Sequence, residues 1–161
     1  MRATSASPEA TRRFGRQLGA LLAPGDVLVL IGDLGAGKTL LVQSMATGLG
    51  ITERVTSPTF ALVHHYDDGR VPVVHIDAWR LDSADDLIDL GVEAILDDDR
   101  VTIVEWGDRV TAALPAERLE LTLTHGDSSE ERHVQFDAIG RRWDARRDAL
   151  LAALGELGSG T

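Results

Sequence analysis

The sequence predicts an α/β fold in which a mostly parallel central sheet is flanked by helices and carries an antiparallel extension near the C-terminus. Residues 27–31 are a continuous apolar run, the pattern of a strand that is covered on both faces. A helix-compatible stretch follows, and a second buried strand is predicted at 101–105, as expected where strands and helices alternate. Residues 119–124 alternate between leucine and polar side chains, which is typical of a half-exposed strand.

Start and stop signals place the other elements. Ser7, Pro8 and Glu9 predict the beginning of the first helix, because serine caps a helix, proline fits its first turn and glutamate complements its dipole. The second helix is predicted to follow a glycine-rich loop and to end near Gly48. The remaining predicted elements are strands at 59–66, 71–77 and 133–137, a turn at 67–69, a hairpin loop at 126–131, a weakly helical segment at 82–96 and a last helix from about 144 to 157.

Length and composition predict one soluble domain over residues 1–161, with disordered tails at 1–6 and 158–161. The chain contains no cysteine, which excludes disulfides, thiolate metal sites and a cysteine nucleophile. No N-terminal apolar run suits a signal peptide or a membrane span, so a cytoplasmic protein without membrane contact is expected. Because the net charge is −10, any contact with RNA is expected to be local or made through a partner.

Residues 32–39, GDLGAGKT, match the phosphate-binding pattern G-x-x-x-x-G-K-[ST] at every fixed position. Glycines let the backbone approach phosphate oxygens, so that successive N–H groups and the start of the next helix form an anion site. Lys38 is expected to reach the β- and γ-phosphates, and the Thr39 hydroxyl to bind Mg²⁺. The sequence therefore predicts a P-loop NTPase fold. The predicted nucleotide-binding residues of this phosphate loop are Gly32, Asp33, Leu34, Gly35, Ala36, Gly37, Lys38, Thr39 and Leu40.

Two predicted strands deliver an acid at the edge where ligands bind in a sheet of this kind. Asp77 ends the strand 71–77, and Glu105 ends the strand 101–105. Hydrolysis of ATP needs one group that orients Mg²⁺ and another that positions the attacking water, and either acid suits either role. Together with Lys38, Asp77 and Glu105 are the predicted catalytic residues.

Other residues near the phosphate loop leave two interpretations open. Trp106 follows Glu105 and either packs in the core or shapes the site. Residues 56–59 are rich in hydroxyls and form either a γ-phosphate sensor or a plain turn. Arg80 and Arg109 either stabilise transition-state charge or are solvated or ion-paired. The scattered histidines predict no zinc site, and the absence of asparagine excludes an Asn-Lys-x-Asp guanine reader, so ATP is the expected nucleotide.

Four motifs in sequence order resemble those of the TsaE family over roughly residues 8–124: GDLGAGKT, SPTF at 57–60, HIDAWRL at 75–81 and VEW at 104–106. The resemblance implies a small bacterial P-loop ATPase that is needed for threonylcarbamoyladenosine at position 37 of tRNA. It also implies docking on the proteins TsaB and TsaD, with weak hydrolysis alone and stimulation by these partners. Contact with tRNA is then expected only through the complex.

The resemblance assigns roles to single residues. The family's Mg²⁺ ligands, the Thr of GKT and the Glu of VEW, correspond to Thr39 and Glu105. The Asp of HIDAWRL, Asp77, is implied as the residue that positions water, and Thr11 is implied as a nucleotide contact because the first helix lies near the nucleotide. Three positions depart from the family, which commonly has Leu-Tyr at 78–79 and Thr at 40 where this chain has Ala-Trp and Leu.

Two alternative functions share the phosphate loop. A small-molecule P-loop kinase needs an acceptor pocket and a lid, and the only insertion that could supply a lid, 82–100, is mostly acidic and would repel a nucleotide. A binding module would use nucleotide binding alone to control docking. Phosphate transfer to a metabolite would favour the kinase, and partner affinities with ATP, ADP and a non-hydrolysable analogue would separate the binding module from the ATPase.

Overall fold

The computed structural model describes residues 1–57, 62–155 and 157, and seven of their segments form one sheet. The strands are β1 Arg2–Ser5, β2 Val27–Ile31, β3 Val63–Tyr66, β4 Val73–Asp77, β5 Val101–Glu105, β6 Arg118–His125 and β7 Arg132–Ile139. The helices are α1 Pro8–Leu21, α2 Lys38–Gly48, α3 Ala84–Asp89, α4 Val92–Ile95, α5 Arg141–Asp144 and α6 Arg147–Gly155. Two 3₁₀ turns, Gly107–Arg109 and Thr111–Ala113, follow β5.

The sheet has the strand order β1-β7-β6-β2-β5-β4-β3. Its four central strands, β6, β2, β5 and β4, are parallel to one another, whereas β3, β7 and β1 run antiparallel to their neighbours. The predicted α/β class, mostly parallel with an antiparallel C-terminal extension, is confirmed. The strand with alternating side chains at 119–124, β6, pairs in parallel with β2. The antiparallel extension on this side of the sheet therefore begins with β7.

The two faces of the sheet bury separate apolar clusters. Leu28 and Leu30 of β2 pack into the larger cluster, which includes residues of α1, α2 and α6, while Val29 between them packs into the smaller one with residues of α3 and α4. Successive side chains of a strand point to opposite faces. A strand with a core on each side must therefore be apolar throughout, which explains the uninterrupted run at 27–31.

Helix α1 begins as the sequence predicts. The Ser7 hydroxyl accepts a hydrogen bond from the Ala10 backbone N–H at 3.2 Å, and proline occupies the first turn. The helix packs very closely on α2, since a Cβ at Gly19 would lie 2.1 Å from the Met45 carbonyl oxygen and one at Gly48 would lie 2.1 Å from that of Arg16. These glycines bring α1 against the helix that carries Lys38.

The N-terminal segment differs from its prediction as a disordered tail. Residues 2–5 form β1, which pairs with β7, and the burial of Ala3 and Ser5 places alternate side chains against the molecule. The Met1 amino group adds a hydrogen bond to the Phe136 carbonyl oxygen at 2.8 Å. A segment this short has no readable periodicity, and its partners lie about 130 residues away in sequence, so the chain alone gave no local signal. The predicted tail at 158–161 lies outside the described residues.

Several element boundaries also differ from the predictions. The segment 82–96 divides into two short helices, α3 and α4. The division lies at Gly91, because its φ of +77° is incompatible with a continuous right-handed helix. The last helical region begins at 141, three residues before its predicted start, and is interrupted between α5 and α6. The predicted strand 59–66 is observed over 63–66, with residues 58–61 outside the described part. No helix in the described part combines the length and apolar character needed to cross a membrane.

Asp26 connects the end of α1 and the start of β2 to the C-terminal helices. Its side chain is fully buried and accepts hydrogen bonds from Arg146 at 2.6 and 2.7 Å and from the Ala23 backbone N–H at 2.8 Å. Arg142 lies 3.5 Å away on the same carboxylate. A buried carboxylate needs such partners, because an unpaired buried charge is strongly unfavourable.

We expect Asp26→Ala to lower the free energy of unfolding by about 3 kcal/mol, because it leaves two arginines and a backbone N–H without their acceptor. Urea-induced unfolding followed by circular dichroism measures this change. Glu9→Ala is the matched control, since it removes a carboxylate that pairs with Arg12 and Arg16 at the surface, and it should leave the unfolding midpoint unchanged. Equal midpoints for Asp26→Ala and the unmodified chain would contradict a stabilising role.

Candidate active site

A cavity of about 400 Å³ lies at the carboxyl ends of β4 and β5, beside the phosphate loop. From that loop and the start of α2, it is lined by Leu34, Gly35, Gly37, Lys38, Thr39 and Leu40. From other elements, it is lined by Ser57, Asp77, Trp79, Glu105 and Trp106. The three predicted catalytic residues therefore meet in one place, and Gly32, Asp33 and Ala36 of the same loop lie outside the lining.

The phosphate loop has a backbone that glycine makes possible. Gly32, Gly35 and Gly37 have φ angles of +149°, +77° and +103°, a region that side chains with a Cβ rarely adopt. A Cβ at Gly32 would also lie 2.4 Å from the Leu123 carbonyl oxygen, whereas one at Gly35 would meet nothing. The first glycine is therefore required by close packing on β6, and the later ones by their conformation.

Lys38 begins α2, and its side chain turns back over the phosphate loop. Its ammonium donates hydrogen bonds to the carbonyl oxygens of Gly32 and Asp33 and lies 3.8 Å from the centre of the Trp106 ring. Burial lowers the pKa of Lys38 below its usual value, an effect that the nearby carboxylates of Glu105 and Asp77 oppose. A desolvated ammonium at this position interacts more strongly with an anion than one in water.

Thr39, Glu105 and His75 form a buried chain of contacts. The Thr39 hydroxyl lies 3.3 Å from each carboxylate oxygen of Glu105, and His75 Nε2 lies 2.9 Å from Glu105 Oε1. A carboxylate oxygen only accepts, so this contact requires the histidine proton on Nε2. His75 Nδ1 is buried and has no hydrogen-bond partner within the described residues. His75 thus fixes Glu105 Oε1, whereas Oε2 has the Thr39 hydroxyl as its only hydrogen-bond partner among the described residues.

Sequence reasoning missed His75, although a signal for it exists. His75 and Asp77 are two residues apart on β4 and so share a face of the sheet. The register pairs Asp77 with Glu105 and His75 with Ile103, which makes His75 a diagonal neighbour of Glu105. Knowledge that β4 and β5 are adjacent and in this register is needed to use that signal.

Asp77 is held by groups on both of its oxygens. Oδ2 accepts a hydrogen bond from the Ser57 hydroxyl at 2.8 Å, and Oδ1 accepts one from the Trp79 backbone N–H at 2.9 Å. The carboxylate is almost fully buried. Of the hydroxyl-rich loop at 56–59, Ser57 therefore reaches the site, while residues 58 and 59 lie outside the described part.

Trp106 forms a wall of the cavity and also packs against the smaller apolar cluster, so both interpretations of this residue apply. Its φ of +59° is unusual for a bulky side chain and turns the indole over Lys38. The ring packs on that of Trp79 at a centroid distance of 4.5 Å. Arg109 donates a hydrogen bond to the Trp79 carbonyl oxygen at 2.6 Å and lies 5.4 Å from the Trp106 ring, so this arginine supports the indole pair at the rim.

Thr11, like Gly32, Asp33 and Ala36, is a predicted site residue that does not line the cavity. Its side chain is buried under β1, and its hydroxyl lies 2.7 Å from the Ser5 hydroxyl. It also donates to the Ser7 carbonyl oxygen at 3.4 Å. These contacts join the start of α1 to the N-terminal strand, and the role of Thr11 as a nucleotide contact stays a prediction.

Comparison with known proteins decides the family. A family model described as threonylcarbamoyl adenosine biosynthesis protein TsaE matches residues 5–134. The chain belongs to the TsaE family. It is similar to a tRNA threonylcarbamoyladenosine biosynthesis protein TsaE from Bacillus subtilis, 40% identical over 138 residues that cover 86% of this chain and 85% of the relative. The TsaE of Streptomyces coelicolor is 41% identical over 147 residues, which cover 88% of this chain and 99% of the relative.

A solved structure supports the same assignment. The crystal structure of YdiB from Bacillus subtilis is 34% identical, with a TM-score of 0.82 and coverage of 94% of both chains. The TsaE resemblance drawn from four short motifs is thus confirmed, and with it the P-loop NTPase fold. Nucleotide binding and a place in tRNA processing follow from membership of the TsaE family.

Proposed function

We propose that this TsaE-family chain is a Mg²⁺-dependent ATPase that supports threonylcarbamoyladenosine formation at position 37 of tRNA by acting on a complex of TsaB and TsaD. The observation that carries the ATPase proposal is the meeting of Lys38, Asp77 and Glu105 around one cavity at the phosphate loop. The partners come from the family resemblance. The net charge of −10 supports contact with tRNA only through the complex, and the absence of cysteine fits a cytoplasmic site.

The residues present fit Mg²⁺ bound together with a nucleotide. Mg²⁺ prefers oxygen ligands and usually takes only one or two of them from the protein, with phosphates and water supplying the rest. The Thr39 hydroxyl and Glu105 carboxylate are such ligands and lie within 3.3 Å of each other. No group of three or more His, Cys, Asp or Glu side chains in the described segments could hold a metal ion without a nucleotide. Bound Mg²⁺ would neutralise charge on the reacting phosphates.

The remaining steps fall to the chain's own groups. The Lys38 ammonium would exchange its carbonyl partners for β- and γ-phosphate oxygens, and the backbone N–H groups of the phosphate loop would bind the same oxygens. His75 would hold Glu105 in the orientation that its metal role requires. Asp77, fixed by Ser57 and by a backbone N–H, would accept a hydrogen bond from the attacking water and direct it at the γ-phosphate.

Asp77→Asn is expected to lower kcat for ATP hydrolysis by about 10²-fold or more while changing the nucleotide dissociation constant less than about threefold, because the amide keeps the shape but loses the basic oxygen. Phosphate release in the presence of TsaB and TsaD gives kcat, and equilibrium binding of a fluorescent ADP analogue gives the affinity. Asp89→Asn, an exposed carboxylate at the end of α3, is the matched control and should behave as the unmodified chain. A kcat for Asp77→Asn within twofold of normal would remove Asp77 from the mechanism.

Association with the expected partners tests the biological role. Purified chain is mixed with tagged TsaB and TsaD, and its capture is compared with ATP, with ADP and with a non-hydrolysable ATP analogue. The proposal predicts nucleotide-dependent capture and phosphate release to water. No capture under any nucleotide would refute the partner assignment, and phosphate transfer to a metabolite would point to a kinase instead.

A further inference from the structure

Arg132, the first residue of β7, reaches across from the C-terminal hairpin to the phosphate loop. Its Nε donates a hydrogen bond to the Ala36 carbonyl oxygen at 3.1 Å, and its Nη2 donates one to the Gly35 carbonyl oxygen at 3.2 Å. Its Nη1 donates to the carbonyl oxygens of Ser129 and Glu131 at 2.8 and 2.7 Å, within its own hairpin. One guanidinium thus ties two consecutive peptide groups of the phosphate loop to a turn almost a hundred residues away.

These bonds fix the directions of backbone N–H groups as well as of carbonyls. In a planar trans peptide, the N–H points opposite to the C=O of the same unit. The bond to the Gly35 oxygen therefore sets the Ala36 N–H, which donates to the Asp33 carbonyl oxygen at 3.1 Å. The bond to the Ala36 oxygen sets the Gly37 N–H, which points away from Arg132. The Gly37 N–H is one of the donors that a phosphate loop presents to its anion.

The hydrogen bonds from Arg132 have a structural reason at this position. Gly35 and Gly37 flank the tied peptides, and an added Cβ would be met by no atom at Gly35 and by nothing closer than 3.9 Å at Gly37. The side of each glycine where a Cβ would stand is therefore open, and glycine by itself allows many backbone conformations. Arg132 supplies the constraint that selects one of them.

The charge of Arg132 is also left uncompensated. All four of its hydrogen bonds go to neutral carbonyl oxygens, and no carboxylate lies within 4 Å of its guanidinium in the segments that the structure describes. In a chain with a net charge of −10, a positive charge without an acidic partner beside a phosphate loop favours an anion there.

We propose that Arg132 is a positioning residue of the nucleotide site, which orients the Gly35 and Ala36 peptides so that the phosphate loop is prepared for the triphosphate. The inference rests on the proposed function in assigning a nucleotide to this loop. It gives the antiparallel C-terminal hairpin a role in nucleotide binding beyond completing the sheet.

The test compares Arg132→Ala and Arg132→Lys with Arg2→Ala, which changes an arginine of the adjacent strand β1 whose described side-chain hydrogen bond goes to Gln135 and not to the loop. Arg132→Ala should raise the dissociation constant of a fluorescent ADP analogue at least about tenfold and raise KM for ATP similarly, while kcat at saturating ATP stays within about threefold. Arg132→Lys should bind almost as weakly, because the three N–H donors of one ammonium cannot reproduce the four hydrogen bonds that the planar guanidinium makes to the loop and the hairpin. Arg2→Ala should bind normally.

A second measurement separates this inference from the proposed function. In nucleotide-free protein, the amide NMR signals of Ala36 and Gly37 should shift or broaden in Arg132→Ala and stay unchanged in Arg2→Ala. Unchanged loop signals in Arg132→Ala would overturn the inference, even if the chain binds and hydrolyses ATP. Normal ADP binding by Arg132→Lys would overturn it as well, since charge alone would then suffice. Failure of the unmodified chain to bind any nucleotide would refute the proposed function, and the amide signals would still decide the positioning role.

Discussion

Replacement of Lys38 by alanine is expected to reduce ATP turnover by about 10²- to 10³-fold, to the background of the assay. The ammonium is the one positive side chain that the described residues place inside the cavity, and it already lies against the loop carbonyls of Gly32 and Asp33. Its loss removes the group that would stabilise charge developing on the β- and γ-phosphates. Phosphate release by the purified variant, measured with TsaB and TsaD present, gives the effect.

The fold should survive this substitution. Lys38 makes no ion pair in the described segments, and burial already disfavours its charged form, so alanine removes an unfavourable desolvation as well as a contact with Trp106. A thermal unfolding midpoint close to that of the unmodified chain is the control for intact folding. Lys38 is also the only lysine in the sequence, so no second lysine can substitute for it. Normal hydrolysis by a folded Lys38→Ala protein would end the ATPase assignment.

Glu105→Gln is expected to cause the second large effect, a fall of about 10²-fold in turnover at low Mg²⁺ that excess Mg²⁺ partly restores. Glutamine has almost the same shape and still accepts from His75 and Thr39, but it lacks the charge that a divalent cation requires. Turnover is measured across a Mg²⁺ titration at fixed ATP. Glu93→Gln, an exposed acid of α4, is the control and should leave the titration curve unchanged. A curve for Glu105→Gln that overlays the normal one would exclude Glu105 as a ligand.

Local patterns were enough to predict the phosphate loop and the two strand-end acids. A loop that must bring backbone amides to an anion needs glycines at fixed positions, and these are visible in eight consecutive letters. Asp77 and Glu105 could be predicted because buried strands are easily recognised and an acid at the end of each is conspicuous. The structure adds that these two residues are direct partners in the register of β4 and β5.

Contacts between distant segments could not be predicted in this way. His75 meets Glu105 only because β4 lies beside β5 in one register, and Arg132 meets the phosphate loop across 96 residues of sequence. β1 is four residues long, so its existence depends on the free edge of β7 rather than on its own periodicity. Thr11 was predicted as a nucleotide contact from the family resemblance. In the structure its hydroxyl contacts that of Ser5, and the residue pattern of α1 does not indicate this contact.

The neighbouring indoles beside Lys38, whose rings are tilted by 55° to one another, make this corner of the molecule an intrinsic fluorescent reporter. Trp106 and Trp79 lie 4.5 Å apart with an ammonium over one face, whereas Trp143, the third tryptophan, is fully buried in the other core beside Arg146. An anion that draws the ammonium away from Trp106 would alter the emission of the pair and leave that of Trp143 as a constant background. Occupancy of the cavity can therefore be followed by intrinsic fluorescence in unlabelled protein.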